Sequence, residues 1–301
     1  HNRHPGICMA VAILLPALPQ AALPATSDAA REGGDGGSFE HLCNVRRTGY
    51  TAREFAPPYH AAWIYRSRHE PRPAWEEPGW EIQRIAFDYA YPAAAAGPRV
   101  FVAFSTEHAV RAFDVDTGRE AWTFFTEGPV RLAPSVHAGR VYFGSDDGAA
   151  YCLDAASGTV VWRFRPEMPD DRLIGNGQMI SRWACRSGVM VHDGRAYVAF
   201  GMWADGVFVY CLDAATGEIV WCNDTSGLRY MTQPHYEGMG GVSPQGYLAL
   251  CGETLVAPCG RATPALFDAA TGRLVYHEAE GLYPGGAWTM TYSNLVFTRC
   301  E

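Results

Sequence analysis

Four polar residues have types and positions that could bind an anion. Arg131, Arg186 and Gln245 occupy the same position in three copies of a repeated pattern, and Asp88 lies near the corresponding place one copy earlier. A guanidinium group can hold a carboxylate or a phosphate with two hydrogen bonds. If the four side chains face one central space, they form a polar, partly cationic site. The alternative is that they bond the backbone of neighbouring structural units.

Two insertions between the later copies hold a second set of candidates, because polar and aromatic residues are densest there. Binding residues are often found on loops that a rigid scaffold positions. The candidates are Arg172, Asn176, Arg182, Trp183 and His235. Gly175-Asn176-Gly177 alone indicates only a tight turn. His235 has no partner at metal-ligand spacing, so no metal is predicted.

Other chemistry is not indicated by the sequence. It contains no Gly-x-Ser-x-Gly motif, no adjacent cysteines and no Cys-x-x-Cys among its nine cysteines. Cys152 and Cys211 share one repeat position, which favours small apolar strand residues, although export would allow some cysteines to be oxidised. Asp146-Asp147-Gly148 could suggest calcium, but it is interpreted as a turn joining two strands.

The charge balance argues against nucleic acid as a partner. Lys and Arg number 24 against 32 Asp and Glu, a formal net charge of −8, and the only basic run is Arg46-Arg47. Phosphate backbones are bound by clustered cations, which this chain lacks. The expected partner is therefore another protein or a small anionic ligand.

Residues 1–29 resemble a leader in composition. The stretch 7–23 is largely apolar, follows Arg3, and is broken by Pro16 and Pro19, so it is too interrupted to span a membrane. A cationic start, an apolar stretch and then small residues are the layout of a secretory signal peptide. The sequence thus predicts an exported protein, periplasmic or otherwise extracytoplasmic and not transmembrane. The alternative is a disordered leader, and residues 30–58 are interpreted as a low-complexity linker and N-terminal extension.

A turn phrase that occurs four times positions the candidates above. Each copy has an aspartate, a glycine four residues later and an aromatic residue four residues after the glycine. An aspartate side chain can bond the backbone a few residues on, and glycine supplies the positive φ that ends a tight turn. The phrase therefore predicts a hairpin turn. Its members are Asp114, Gly118 and Trp122; Asp154, Gly158 and Trp162; Asp213, Gly217 and Trp221; and Asp268, Gly272 and Tyr276.

Alternating apolar residues on both sides of each phrase predict an antiparallel meander of four strands. In the second copy these strands are expected at Pro134 to His137, Arg140 to Gly144, Ala149 to Leu153 and Thr159 to Phe164. One such sheet cannot bury both faces, whereas radial stacking of several copies does so. The predicted fold is an all-β β-propeller of four-stranded antiparallel blades. The aromatic residue after each turn is expected on the outermost strand, packed against the neighbouring blade.

At these residues the chain resembles the pyrroloquinoline-quinone (PQQ) repeat propellers, which include quinoprotein alcohol dehydrogenases and the outer-membrane-assembly lipoprotein scaffold. The resemblance covers roughly residues 40 to 301. It extends to an exported bacterial subgroup in which stretches such as 46–51, 128–131, 175–177 and 244–247 recur. The resemblance implies the fold more securely than any activity. In the family, active quinoproteins stack PQQ on two adjacent disulfide-bonded cysteines near calcium, and this chain has no such pair.

Residues 59–301 are predicted to form four complete blades, an orphan outer strand around Trp63 and an incomplete blade at 284–301. This favours a partial ring of a propeller with about six to eight blades over a closed five-bladed ring. The predicted function is an exported, non-catalytic binding or scaffold module without a cofactor. The alternative is a periplasmic oxidoreductase using PQQ with calcium, and a domain accessory to a larger exported enzyme is a third reading.

Overall fold

Strands form nearly all the regular structure of the chain. The structure, a computed structural model, describes residues 11–14, 39–51, 54, 56–74, 88–175, 177–202, 205–232, 237–260, 262–278 and 286–298. Within those ranges the one helical element is a short 3-10 turn, His41–Cys43. The expected all-β architecture is confirmed.

Four sheets follow a first short strand, β1 (Val11–Leu14), and each sheet contains four antiparallel strands in chain order. Blade 1 consists of β2 (Ala93–Ala96), β3 (Arg99–Phe104), β4 (Ala109–Asp114) and β5 (Glu120–Phe125). Blade 2 consists of β6 (Ser135–His137), β7 (Arg140–Gly144), β8 (Ala150–Asp154) and β9 (Val160–Phe164). These bounds differ by at most one residue from those predicted for the second copy.

Two hairpins occupy the insertions between the later blades. The first hairpin pairs β10 (Arg172–Gly175) with β11 (Gln178–Ser181). Blade 3 follows, with β12 (Val189–His192), β13 (Arg195–Met202), β14 (Gly206–Asp213) and β15 (Ile219–Asn223). The second hairpin pairs β16 (Arg229–Thr232) with β17 (Glu237–Gly240). Blade 4 contains β18 (Ala249–Cys251), β19 (Thr254–Cys259), β20 (Ala262–Asp268) and β21 (Leu274–Tyr276).

A fifth sheet begins with β22 (Thr289–Tyr292) and β23 (Leu295–Thr298), the two strands expected for the incomplete blade. Its third strand is β1, which pairs antiparallel with β23. The leader interpretation of residues 1–29 did not anticipate this pairing. Apolar side chains of successive blades interdigitate to form the core, so each blade buries its faces against its neighbours.

In the repeated turns, the aspartate and glycine residues make the hydrogen bonds and adopt the backbone conformation expected from the sequence. Asp114 Oδ1 accepts hydrogen bonds from the backbone nitrogen of Thr117 (2.9 Å) and from its hydroxyl (2.8 Å), and the other three turns repeat these contacts. The hydroxyl bond is the main cause of a lowered pKa for Asp114. Gly118 has a φ of +66°, a conformation that favours glycine.

The repeat tryptophans join consecutive blades. Each indole N–H donates to the carbonyl oxygen of the residue after the turn aspartate in the next blade: Trp122 to Ala155 (3.1 Å), Trp162 to Ala214 (3.0 Å) and Trp221 to Ala269 (3.0 Å). The rings also cover the turn glycines, since a Cβ on Gly158 would lie 2.7 Å from the Trp122 ring. Trp162 is buried, and Trp122 and Trp221 are half-buried.

Trp63 makes the same two contacts as the repeat tryptophans, although it does not lie on a strand. Its indole nitrogen donates to the Val115 carbonyl at 2.8 Å, and its ring covers Gly118 of blade 1. Residues 56–74 nevertheless contain no strand, which differs from the outer strand predicted around Trp63. Side-chain contacts with blade 1, rather than a strand ladder, hold this extended segment.

Candidate functional site

The candidate residues on the inner connections lie on one face of the propeller. Successive strands are antiparallel, so the outer-to-inner connections and the second-to-third-strand connections share a face. We call it the loop face; it includes residues 105–108, 126–134, 145–149, 165–175, 177–188, 224–232 and 237–248. Arg131, Arg186 and Gln245 lie three or four positions before the first residues of the inner strands β6, β12 and β18 on this face. The Asp-to-Gly turns lie on the opposite face.

Arg131 is the centre of a buried ion-pair network. Its Nε donates to Asp146 Oδ2 at 2.6 Å, and its Nη1 donates both to Asp88 Oδ2 at 2.7 Å and to the Arg72 carbonyl at 2.8 Å. Burial alone would lower the pKa of Arg131, but the carboxylates of Asp146 and then Asp88 raise it above its ordinary value. Arg131 is therefore a fixed cation with two carboxylate partners.

Arg186 uses the other side of Asp146. Its Nε lies 3.2 Å from Asp146 Oδ1, and a terminal nitrogen lies 3.3 Å from Oδ2. Asp146 is fully buried, and Asp88, Arg131 and Arg186 are nearly so. Two guanidinium groups thus face two carboxylates, so the charges of this network balance within the chain. A free anion would have to displace one of these carboxylates.

Gln245 is buried at the equivalent position of the next blade but lies outside the network. Its backbone nitrogen donates to the Pro258 carbonyl at 2.8 Å, and its side-chain oxygen has no hydrogen-bond partner among the described residues. Oδ1 of Asp88 also lacks a partner there. The structure therefore joins Asp88, Arg131 and Arg186 in one network through Asp146. The Gln245 side chain forms no hydrogen bond with this network.

The centre of the propeller is filled by residues 39–50, which we call the axial segment. Phe39 pairs with Val136 of β6, and Glu40 Oε1 accepts from the Val191 nitrogen of β12 at 2.9 Å. Later in the segment, the Arg46 carbonyl accepts from the Thr291 nitrogen of β22 at 2.9 Å. The Val45 carbonyl also accepts from the Leu250 nitrogen of β18 at 2.9 Å, so the segment contacts the innermost strands of four sheets. It lies within residues 30–58, for which the sequence predicted a linker.

A buried ion pair and a ring stack hold the axial segment. Arg47 bonds Glu40 Oε2 at 2.9 Å and the Leu248 carbonyl at 2.8 Å. The His41 ring stacks on Tyr247 with ring centroids 3.6 Å apart, and the Tyr247 hydroxyl accepts from the Ala133 nitrogen at 2.8 Å. Burial, and then the charge of Arg47, lower the pKa of His41 to about 3, so this ring is neutral. Tyr247 thereby connects blade 4 to blade 2 across the axis.

The insertion candidates lie away from the network. Arg172 is on β10 and pairs with Glu127 and Asp170. Arg182 follows β11 and lies 3.4 Å from Asp171, and the Trp183 indole donates to the Pro169 carbonyl at 3.1 Å. Asn176 and His235 fall outside the described residues. The first hairpin reaches the network through Gln178, whose side-chain oxygen lies 3.4 Å from an Arg131 nitrogen.

Both hairpins present an apolar cross-strand pair to solvent. In the first hairpin Ile174 faces Met179, and in the second Tyr230 faces Met239. Ile174 is 75% exposed and Tyr230 is 70% exposed. Cross-strand neighbours form one continuous patch, so each hairpin carries a small apolar surface. Larger contiguous apolar patches mark interaction sites, so the two pairs are candidate parts of such a surface.

Sequence reasoning missed Asp146, the residue that joins the two arginines. The Asp-Asp-Gly run was interpreted as a strand-joining turn, a role that Asp147 does fill: it accepts from the Ala149 nitrogen at 2.9 Å and from the Tyr151 hydroxyl at 2.6 Å. The two arginines were expected to face one central space, and a carboxylate partner for them is what burial of that space would require. The axial pair of Glu40 and Arg47 carried no comparable signal.

Among the described residues, protein groups lie where the inner connections of blades 2 and 4 meet. Tyr247, His41 and the axial segment occupy the centre, and the nearby guanidinium groups are already bonded to carboxylates. No group of three or more His, Cys, Asp or Glu side chains in the described ranges could hold a metal ion. No helix in those ranges is both long and apolar enough to cross a membrane.

Comparison with known proteins agrees with this architecture. The sheets and turns define an antiparallel β-propeller, and the model of a family described as outer membrane protein assembly factor BamB matches residues 72–184. A europium-containing methanol dehydrogenase structure aligns over 87% of this chain and 53% of its own, with 13% identity and a TM-score of 0.54, a likeness of fold alone. The family match and the fold together support the resemblance to PQQ-type β-propeller repeats over residues 72–184.

Curated relatives match in sequence over shorter stretches. Polyvinylalcohol dehydrogenase of a Sphingopyxis species is 27% identical over 51% of this chain and 26% of its own length. The dehydrogenase subunit of a quinone alcohol dehydrogenase of Komagataeibacter europaeus is 27% identical over 42% of this chain and 17% of its own. The chain therefore spans about a quarter or less of these relatives.

Proposed function

We propose that this chain is an exported, non-catalytic propeller that binds another protein through the two hairpins on its loop face. The single observation that carries the proposal is the pair of exposed apolar patches, Ile174 with Met179 and Tyr230 with Met239. Both hairpins occupy outer-to-inner connections of consecutive blades, so both are presented on one face by a rigid scaffold.

The network around Arg131 favours a protein partner over a small anion. Its cations are neutralised by Asp88 and Asp146, and the Tyr247 hydroxyl bonds the backbone of Ala133, two residues after Arg131. The network acts in this proposal as a tie between blades. It keeps the base of the first hairpin fixed, because Ser181 at the end of that hairpin donates its backbone nitrogen to the Asp146 carbonyl at 2.7 Å.

An extracytoplasmic location fits the family resemblance. The matching family model is described as an outer membrane protein assembly factor, and residues 1–29 have the layout of a secretory signal peptide. A periplasmic protein with a rigid face suits a role in holding other proteins. The partner is expected to offer an apolar surface that covers both hairpins.

A second candidate function is a periplasmic oxidoreductase that uses PQQ. The observation in its favour is the sequence similarity to two named dehydrogenases. Against it stand the filled axis and the balanced charges of the described residues. The proposal of a binding module therefore has the stronger physical support.

Site-specific photocrosslinking in cells tests the proposed function. A photoreactive amino acid replaces Ile174 or Tyr230, and control positions are Val160 and Ile219, which are also exposed but begin the outer strands β9 and β15 near the opposite face. We expect both hairpin positions to crosslink one and the same protein, and the controls to give none of that product. Equal products from all four positions would refute the assignment.

The identified partner then allows a quantitative check. An Ile174→Ser, Met179→Ser double variant should bind the purified partner at least about tenfold more weakly, equivalent to about 1.4 kcal/mol. A Val160→Ser variant is the matched control, because it removes an exposed apolar side chain from the opposite face. Unchanged affinity in the double variant would remove the first hairpin from the interface.

A further inference from the structure

A half-open groove of about 620 Å³ lies on blade 1, beside the extended segment that follows Trp63. The segment contributes Tyr65, Arg66 and Arg68 to its lining, and blade 1 contributes Glu107, Arg111 and Phe125. This volume lies within the range of ligand-binding clefts. The groove uses none of the residues of the two hairpins or of the Arg131 network.

One wall of the groove is fixed in place by internal contacts. Arg111 donates to the Tyr65 hydroxyl at 2.8 Å and pairs with Glu107. The Tyr65 ring packs against Phe113, with ring centroids 4.8 Å apart. The segment is further tied to blade 1 by Thr106, whose hydroxyl donates to the Glu70 carbonyl at 2.6 Å. A ligand would therefore meet a preformed wall.

The remaining charges of the groove are positive. Glu107 neutralises Arg111, whereas Arg66 and Arg68 make no ion pair with any described residue and are exposed. The chain as a whole carries a formal net charge of −8. The two uncompensated guanidinium groups therefore make the groove locally positive on a protein whose net charge is negative. Clustered arginines recognise carboxylates and phosphates through charge-assisted hydrogen bonds.

An apolar surface accompanies these cations. Phe125, at the end of outer strand β5, is 68% exposed, and Tyr65 is 38% exposed. Large exposed aromatic rings beside cations suit a ligand that carries both an acidic group and an apolar side chain. Because most of the lining is exposed, a small molecule would stay largely in solvent, whereas an extended peptide would gain contacts along the groove.

We propose that this groove binds an acidic peptide segment of a partner protein. Its carboxylates pair with Arg66 and Arg68, and an aromatic side chain of the peptide packs on Phe125. The proposed binding mode is recognition of an acidic motif by an arginine cluster. The groove shares no lining residue with the two hairpins. Failure at this groove would leave the hairpin assignment untouched, since the two share no residue.

Fluorescence anisotropy with a labelled peptide of alternating glutamate and tyrosine tests the proposal. The unaltered chain should bind it saturably, and an Arg66→Gln, Arg68→Gln double variant should bind at least about tenfold more weakly, as expected for the loss of two charge-assisted contacts. A Phe125→Ser variant should also weaken binding. A peptide of alternating lysine and tyrosine should not bind.

The matched control is an Arg119→Gln, Arg195→Gln double variant, which removes the same charge from exposed sites outside the groove. It should retain affinity within about twofold, because general electrostatic attraction is not the source of binding. Equal weakening of both double variants would assign the binding to net charge and overturn the proposal. So would the absence of saturable binding to the unaltered chain.

Discussion

Replacing Asp146 by alanine is expected to lower the free energy of unfolding by about 3–5 kcal/mol, because it removes the shared partner of two buried cations. Arg131 would keep Asp88 as its one carboxylate partner among the described residues. Arg186 would lose the single carboxylate bonded to it there. Chemical denaturation followed by tryptophan fluorescence measures the change. The Asp146→Asn variant should lie between the parent and the alanine variant, since it retains the shape but not the charge.

Asp116→Ala is the matched control for this experiment. Asp116 lies in the exposed turn of blade 1 and forms no ion pair with a described residue. Its loss should change stability by no more than about 0.5 kcal/mol, as for most surface substitutions. If Asp146→Ala cost less than about 1 kcal/mol, the network would not be the tie between blades that the structure indicates.

Trp162→Ala is the second large expected effect, about 3–5 kcal/mol, the range observed when large core aromatics are truncated. The Trp162 ring is 7% exposed and packs between blades 2 and 3 over Gly217. Its indole nitrogen donates to the Ala214 carbonyl at 3.0 Å. Thermal and chemical denaturation of the purified variant measure the loss.

Two companion variants separate packing from hydrogen bonding. Trp162→Phe should cost only about 1 kcal/mol, because the Tyr142 hydroxyl still donates to the same Ala214 carbonyl at 3.2 Å. Trp122→Ala should cost less than Trp162→Ala, since Trp122 is half-buried. Stability within about 0.5 kcal/mol of the parent for Trp162→Ala would contradict the packing shown between blades.

The blades were predictable because their determinants are local. The Asp-to-Gly turn fixes each hairpin, and the alternation of apolar residues fixes which side chains face the neighbouring blade. The alignment on the same turns assigns Arg131 and Arg186 one repeat position, and both residues lie on inner connections, before β6 and β12. The fold therefore follows from patterns that span fewer residues than one blade.

The contents of the propeller centre were not predictable in the same way. Glu40 and Val191 are hydrogen-bonded although they are 151 residues apart, and no local pattern specifies such a contact. The stack of His41 on Tyr247 likewise depends on where the axial segment enters. The exposed pairs on the hairpins depend on strands within insertions that the sequence marked only as polar and aromatic loops.

Titration of the purified chain with PQQ and calcium tests most directly whether this propeller is a binding module with a filled centre. Absorbance reports binding of the quinone, and dye-linked alcohol oxidation reports turnover. The filled axis and the internally paired arginines predict no saturable spectral change and no turnover. Saturable binding accompanied by alcohol oxidation would contradict the account and establish the oxidoreductase in its place.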